Sequence, residues 1–178
     1  MPIIPMLQPE NLTEAQQTRY DNEVAAHGRA TNLKRTLLHS IHSFDAFMQW
    51  HVLAEQCTQF ISQRALALLS FAISEGNRCV VCGTFFRKIL TDGGDNPDDP
   101  VLNEEEALLF DYGYSVAEDP HNINPAIHQA MQERYSDEQR VLLLAYAGMM
   151  SAFNLFNTVA QVELDDVLKG YERTLPWD

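Results

Sequence analysis

The sequence predicts an all-α bundle, and three observations carry that expectation. Glycine and proline number 8 each in 178 residues, which leaves most of the chain free of helix breakers. Capping signatures recur: Thr13 with Gln16, Asn103 with Glu104, Glu105 and Glu106, and Ser136 with Gln139 each set a side-chain acceptor ahead of helix-compatible sequence. Apolar residues then follow at helical spacing, as in Phe44, Phe47, Met48, His51 and Leu53. About seven to nine helices in a single domain, residues 1–178, are expected from this pattern.

The elements follow in order. Thr13 caps a first helix that passes Tyr20, Val24 and Ala25 and stops at Gly28. A short helix covers residues 33–38, and Ser43 caps a third that runs to about residue 61. Residues 64–73, Arg-Ala-Leu-Ala-Leu-Leu-Ser-Phe-Ala-Ile, read as a buried helix ended by Gly76. The next helix carries Cys79, Cys82, Phe85, Phe86 and Leu90 before Gly93 and Gly94 break the chain, and residues 92–100 form an acidic loop. Asn103 opens a helix to about Val116, with three glutamates at its positive end. Asn124 and Pro125 start a shorter helix, and Ser136 caps a long one reaching about Val162. Residues 164–171 read as a last short helix or turn, and Pro176-Trp177 as a tail. Residues 63–72 and 139–147 echo each other 76 residues apart, which two related helical hairpins about a pseudo-dyad would produce, as would chance likeness of apolar helices.

Lys and Arg total 12 against 25 Asp and Glu, a formal charge of −13. Such a field repels phosphate backbones and anionic lipid, so neither nucleic acid nor membrane is an expected partner. Residues 1–10 lack the basic and long apolar regions of a signal peptide, and three cysteines do not make a disulfide scaffold. The cytoplasm is the expected compartment.

Cys79-Val80-Val81-Cys82 is the motif with chemistry. At a helix start the two Cβ atoms lie about 5–6 Å apart on one face, within reach of a disulfide after a small rotation. Backbone N–H groups there, with Arg78 beside them, favour a thiolate. The competing reading is that both are small core hydrophobes, as Cys57 is expected to be. A Cys2His2 zinc site with His39 and His42 has the wrong spacing, so no metal and no cofactor is expected. His27, His121 and His128 read as solvated, and His51 as a histidine on an apolar face.

The opening Met-Pro-Ile-Ile-Pro-Met-Leu-Gln-Pro-Glu-Asn-Leu-Thr-Glu-Ala-Gln, Leu37-Leu38-His39-Ser40, the arginine-led helix into Cys79-x-x-Cys82, and residues 102–156 together resemble the carboxymuconolactone decarboxylase superfamily, in its alkyl hydroperoxidase D-like branch. The resemblance implies an all-helical fold, a homo-oligomer (dimer, trimer or hexamer), and a thiol peroxidase or disulfide reductase regenerated by a protein reductant. Members without paired cysteines are cofactor-free decarboxylases. The branch's proton relay, a Glu and two His, falls here on Ala67, Val81 and Phe86. Glu75, His51 and His39 are the candidate replacements. The resemblance makes the second cysteine, Cys82, the attacking one; the helix terminus alone favours Cys79. The expected activity is therefore a Cys79/Cys82 thiol oxidoreductase acting on a hydroperoxide or a disulfide. The alternative is a non-redox enzyme or binding module for a small organic acid.

Overall fold

The computed structural model describes residues 2–173. Among these are nine α-helices, two 3₁₀ turns (Pro9–Asn11 and Asp166–Leu168) and no strand. The helices are α1 (Glu14–His27), α2 (Asn32–Leu37), α3 (Ile41–Met48), α4 (Trp50–Cys57), α5 (Gln63–Gly76), α6 (Val80–Asp92), α7 (Glu104–Glu118), α8 (Pro125–Arg134) and α9 (Asp137–Ala160). The all-α class is as the sequence predicts.

α5 is the axis of the bundle. Every residue from Ala65 to Ser74 is buried, because α6, α7 and α9 pack around it. Leu68, Leu69 and Ile73 are fully enclosed, each contributing about 1.5–3 kcal/mol of hydrophobic stabilisation. The approach of α7 is tight because Gly113 faces Leu69: a Cβ there would lie 2.7 Å from Leu69 Cδ1 and 2.9 Å from its carbonyl oxygen. α9 supplies a second wall through Leu143, Tyr146, Ala147, Met150 and Phe153. Tyr146 shares a 2.6 Å hydrogen bond with Ser70. These two residues are equivalent in the 76-residue echo, so the echoing helices touch at matching positions. α9 is long and apolar enough by composition to cross a membrane; 39% of that stretch is buried inside the protein, and the rest includes an exposed apolar face.

The capping boxes at Thr13, Asn103 and Ser136 all form. Two boundaries differ from expectation. The single third helix is two, α3 and α4, broken at Gln49. Its cap is Ser40, whose Oγ accepts from the Ser43 amide at 3.2 Å and from the Ser43 hydroxyl at 3.0 Å; Ser43 lies inside the first turn. Thr31 caps α2 one residue earlier than expected. Residues 164–171 hold only the second 3₁₀ turn, and Pro176-Trp177 lie outside the described residues. The acidic loop is tied down by Arg64, whose guanidinium pairs bidentately with Asp95 (2.8 and 3.0 Å), meets the Val101 carbonyl at 3.0 Å and also pairs with Glu106.

Candidate active site

α5 and α6 meet in a sharp turn, and the cysteine pair stands on it. Asn77 ends α5, and Arg78 takes a left-handed conformation, φ 54°, uncommon for a residue with a side chain and frequent at functional turns. The Cys79 amide then donates back to the Ser74 carbonyl at 2.9 Å. This reversal makes Cys79 the N-cap of α6, with its sulfur accepting from the Cys82 amide at 3.5 Å. Cysteine is an unusual N-cap, since Ser, Thr, Asp and Asn supply the better oxygen acceptor. A cap sulfur is best matched to the orphan N–H groups when it is a thiolate.

Both cysteines are buried and both are free thiols. Their environments push them apart. The hydrogen bond from the Cys82 thiol, then backbone N–H groups and the Thr158 hydroxyl, outweigh burial and bring Cys79 down to about 7. Cys82 is pushed up by that same bond and by its burial, against a stabilising contact from Asn157. Asn157 Nδ2 donates to Cys82 Sγ at 3.1 Å, while its Oδ1 has no hydrogen-bond partner among the described residues. Asn157 is 2% exposed and went unrecognised in the sequence, where it reads as an interruption of an apolar helix. One sulfur lowered toward neutral pH beside another held as the thiol is an arrangement that can supply a nucleophile and a resolving partner. Cys57 lies apart in the core, and burial raises it to about 11.

A cavity of about 20 Å³ opens on Cys79, lined also by Glu75, Arg78, Gly83, Arg87 and Arg173; it admits a molecule the size of water. The Glu75 carboxylate overhangs the first turn of α6, where Gly83 leaves it room: a Cβ there would sit 3.1 Å from Glu75 Oε1. Burial raises the Glu75 pKa against the pull of Arg173, which pairs with it at 3.3 Å. Of the three candidate relay residues, Glu75 shares the cavity with Cys79. His39 and His51 do not line it. His39 Nε2 meets the Pro5 carbonyl at 2.8 Å, and His51 packs between Trp50 and His27. The positions of the missing relay are apolar here: Ala67 and Phe86 are buried and Val81 half-buried.

The Cys2His2 set is not assembled. The potential metal ligands that come together among the described residues are Glu23, His27 and His51. His27, read as solvated, instead lies against the His51 ring, with centroids 4.9 Å apart.

The fold is the all-helical alkyl hydroperoxidase D-like fold. The debrominase Bmp8, in its apo form, superposes with a TM-score of 0.78 over 94% of this chain and 95% of its own, at 14% identity. An uncharacterized peroxidase-related protein from Silicibacter sp. TM1040 gives 0.74 over 94% and 92%, also at 14% identity. The alkylhydroperoxidase AhpD core of an uncharacterized peroxidase-related protein from Ralstonia eutropha JMP134 gives 0.70 over 92% of each chain, at 20% identity. No protein-family model and no curated protein matches the sequence. The fold implied by the resemblance is thus the fold observed.

Proposed function

We propose that the protein is a thiol-dependent oxidoreductase that cycles Cys79 and Cys82 between dithiol and disulfide, with Cys79 as the attacking thiolate. The observation that carries this is the placement of Cys79: a helix N-cap sulfur, lowered to about 7, hydrogen-bonded to its partner thiol and opening on a cavity. In the first step the Cys79 thiolate attacks one sulfur of a substrate disulfide, forming a mixed disulfide and expelling the other sulfur as a thiolate that takes up a proton. Cys82 then gives up its proton and attacks the Cys79 sulfur, expelling the second substrate thiol and closing the internal disulfide. Two electrons pass from the dithiol to the substrate, and an external thiol reductant returns them. With a hydroperoxide the first step gives an alcohol and a Cys79 sulfenic acid, and closure by Cys82 releases water.

Disulfide cleavage depends on thiolate fraction and leaving group, so the lack of an acid at the relay positions weighs less against it than against peroxide, although the water-sized cavity must widen for a disulfide to reach Cys79. Glu75 is the group positioned to protonate what leaves. Peroxidase-related fold neighbours are in keeping with a small-molecule substrate. Mild oxidant followed by peptide mass spectrometry tests the pairing: a Cys79–Cys82 crosslink is expected, with Cys57 alkylated only after unfolding. Both cysteines staying reduced where glutathione oxidises, with all activity retained in C79S/C82S, would move the reading to a non-redox member of the fold.

The protein is further expected to self-associate. Val141, Leu144, Leu155 and Val159 are 54–67% exposed and follow one another at helical spacing along α9, an apolar stripe suited to an isologous dimer. Sedimentation should show a dimer or a higher multiple, weakened by Leu155→Asp; a monomer at micromolar concentration would remove this part of the account.

A further inference from the structure

α1, α2 and α4 bring four polar side chains together. Glu23 and His27 stand one turn apart on α1, with His27 Nε2 3.8 Å from Glu23 Oε2. His51 comes from α4, its ring nearly parallel to that of His27 at 16°. One coordinating atom from each of Glu23, His27 and His51 lies within 4.8 Å of the other two. Into this group reaches Lys34 from α2, its Nζ paired with Glu23 and 3.4 Å from His51 Nε2. A cation therefore already sits among the ligand atoms, and it is on a long flexible stem.

We propose that Glu23, His27 and His51 form a divalent metal site, zinc being the ion its donors suit, which Lys34 occupies with its ammonium when metal is scarce. Two imidazoles and one carboxylate are a common zinc donor set, with water in the fourth position. Zn–N bonds of about 2.0–2.1 Å at a tetrahedral angle put two imidazole centroids about 5 Å apart. The observed separation is 4.9 Å with the rings stacked nearly parallel, so the spacing suits one shared ion once a ring turns to bring its in-plane nitrogen lone pair onto it. An i, i+4 pair on a helix supplies two ligands from one rigid element, and the third spans to another helix. Glu23 is 10% exposed and Lys34 14%, while His27 is 46% exposed. The open side is thus at His27, where ion and water can enter and the displaced ammonium can leave.

The consequence is for α1. Its one buried residue is Glu23; besides Tyr20, which packs partly buried on the core, the helix is attached by polar contacts: Gln16 Nε2 donating to the Leu38 carbonyl at 2.9 Å, Arg19 pairing with Asp45 at 2.6 Å, and the Glu23 cluster. A helix with so little buried apolar surface has a low cost of local opening. Metal would replace one flexible ion pair by three bonds linking α1 to α4, and its binding energy would oppose that opening.

The test uses full-length C79S/C82S protein, so that thiolates cannot take the metal. Zinc titration calorimetry should give one ion per chain. His51→Ala and Glu23→Gln should each weaken binding at least tenfold, and Lys34→Met should tighten it about tenfold by removing the competing cation. Cobalt(II) should show ligand-field bands without thiolate charge transfer, and hydrogen exchange in α1 should slow on zinc addition. Lys34→Met and Glu23→Gln keep side-chain length and shape, so the outcome stands if His51→Ala does not fold. Sub-stoichiometric binding, equal zinc affinity in the parent and Glu23→Gln, or no change in affinity with Lys34→Met would overturn the proposal.

Discussion

Replacing Cys79 by serine will lower the rate of thiol exchange with a small aromatic disulfide by at least about 10²-fold, because serine carries no comparable nucleophile at neutral pH. Cys82→Ser will keep the first step and lose the second, so that protein and substrate remain linked. The pH profile separates the two sulfurs. The reactive form is the thiolate, so alkylation of Cys79 should be slow below its pKa, half-maximal near pH 7, and level above it. An ordinary thiol would reach half-maximum near pH 8.5. Cys82, held up by burial and by the bond it gives Cys79, should react only at more alkaline pH. Removing the donor takes away the largest influence lowering Cys79, so the midpoint in Cys82→Ala, which has no hydroxyl to replace the thiol, should move upward; a midpoint unchanged by that substitution would show that the thiol–thiolate bond is not what tunes the site. Stopped-flow alkylation across pH 5–10 would follow both effects.

Gly113→Ala should destabilise the protein by about 1–2 kcal/mol: overpacking costs about 1–3 kcal/mol, partly offset by the helix preference of alanine. The new methyl would press on the Leu69 side chain at 2.7 Å and on its backbone oxygen at 2.9 Å, with Ile73 Cγ1 at 3.2 Å. Leucine's methyl can turn aside, but the carbonyl moves only with α5. For a domain of this size the shift in Tm is roughly 2–8 °C downward. Gly148→Ala in α9 is the matched control at concentrations too low for self-association. Gly148 sits on the α9 stripe, but nothing in its own chain lies within 4 Å of its Cβ position, so under those conditions the change should be neutral or stabilising by up to about 1 kcal/mol. Calorimetric melts of the two variants check the pair. A Gly113→Ala melt at or above the wild-type Tm would mean that α5 and α7 can separate at little cost.

The helical class was legible because its signals are local. The three capping boxes are written in four residues each, and all three form. The break at Gln49 was not legible: no glycine or proline marks it, and Ser43 looks as good a cap as Ser40 until the hydroxyls are seen bonded to each other. The cysteine pair and Glu75 could be read because they lie within eight residues of one another around one turn. Asn157 could not, since its meeting with Cys82 spans 75 positions of sequence and an asparagine in an apolar helix has no local signature of its partner. Separation in sequence likewise hid the Glu23, His27 and His51 group, in which a histidine read as solvated and another read as core turn out to be neighbours. Local chemistry thus favoured Cys79 as the nucleophile, whereas the resemblance favoured Cys82. Under the proposed mechanism Cys79 is the nucleophile, as the N-cap of α6, and the position where the resemblance puts a histidine serving Cys82 holds Val81.

The most direct test of that assignment is to trap the mixed disulfide. Cys82→Ser and Cys79→Ser proteins, each treated with one equivalent of a small aromatic disulfide at pH 7, would be quenched with acid and mapped by peptide mass spectrometry. The account predicts rapid labelling of Cys79 in the first protein and labelling of Cys82 slower by at least tenfold in the second. Faster labelling of Cys82 than of Cys79 would contradict it.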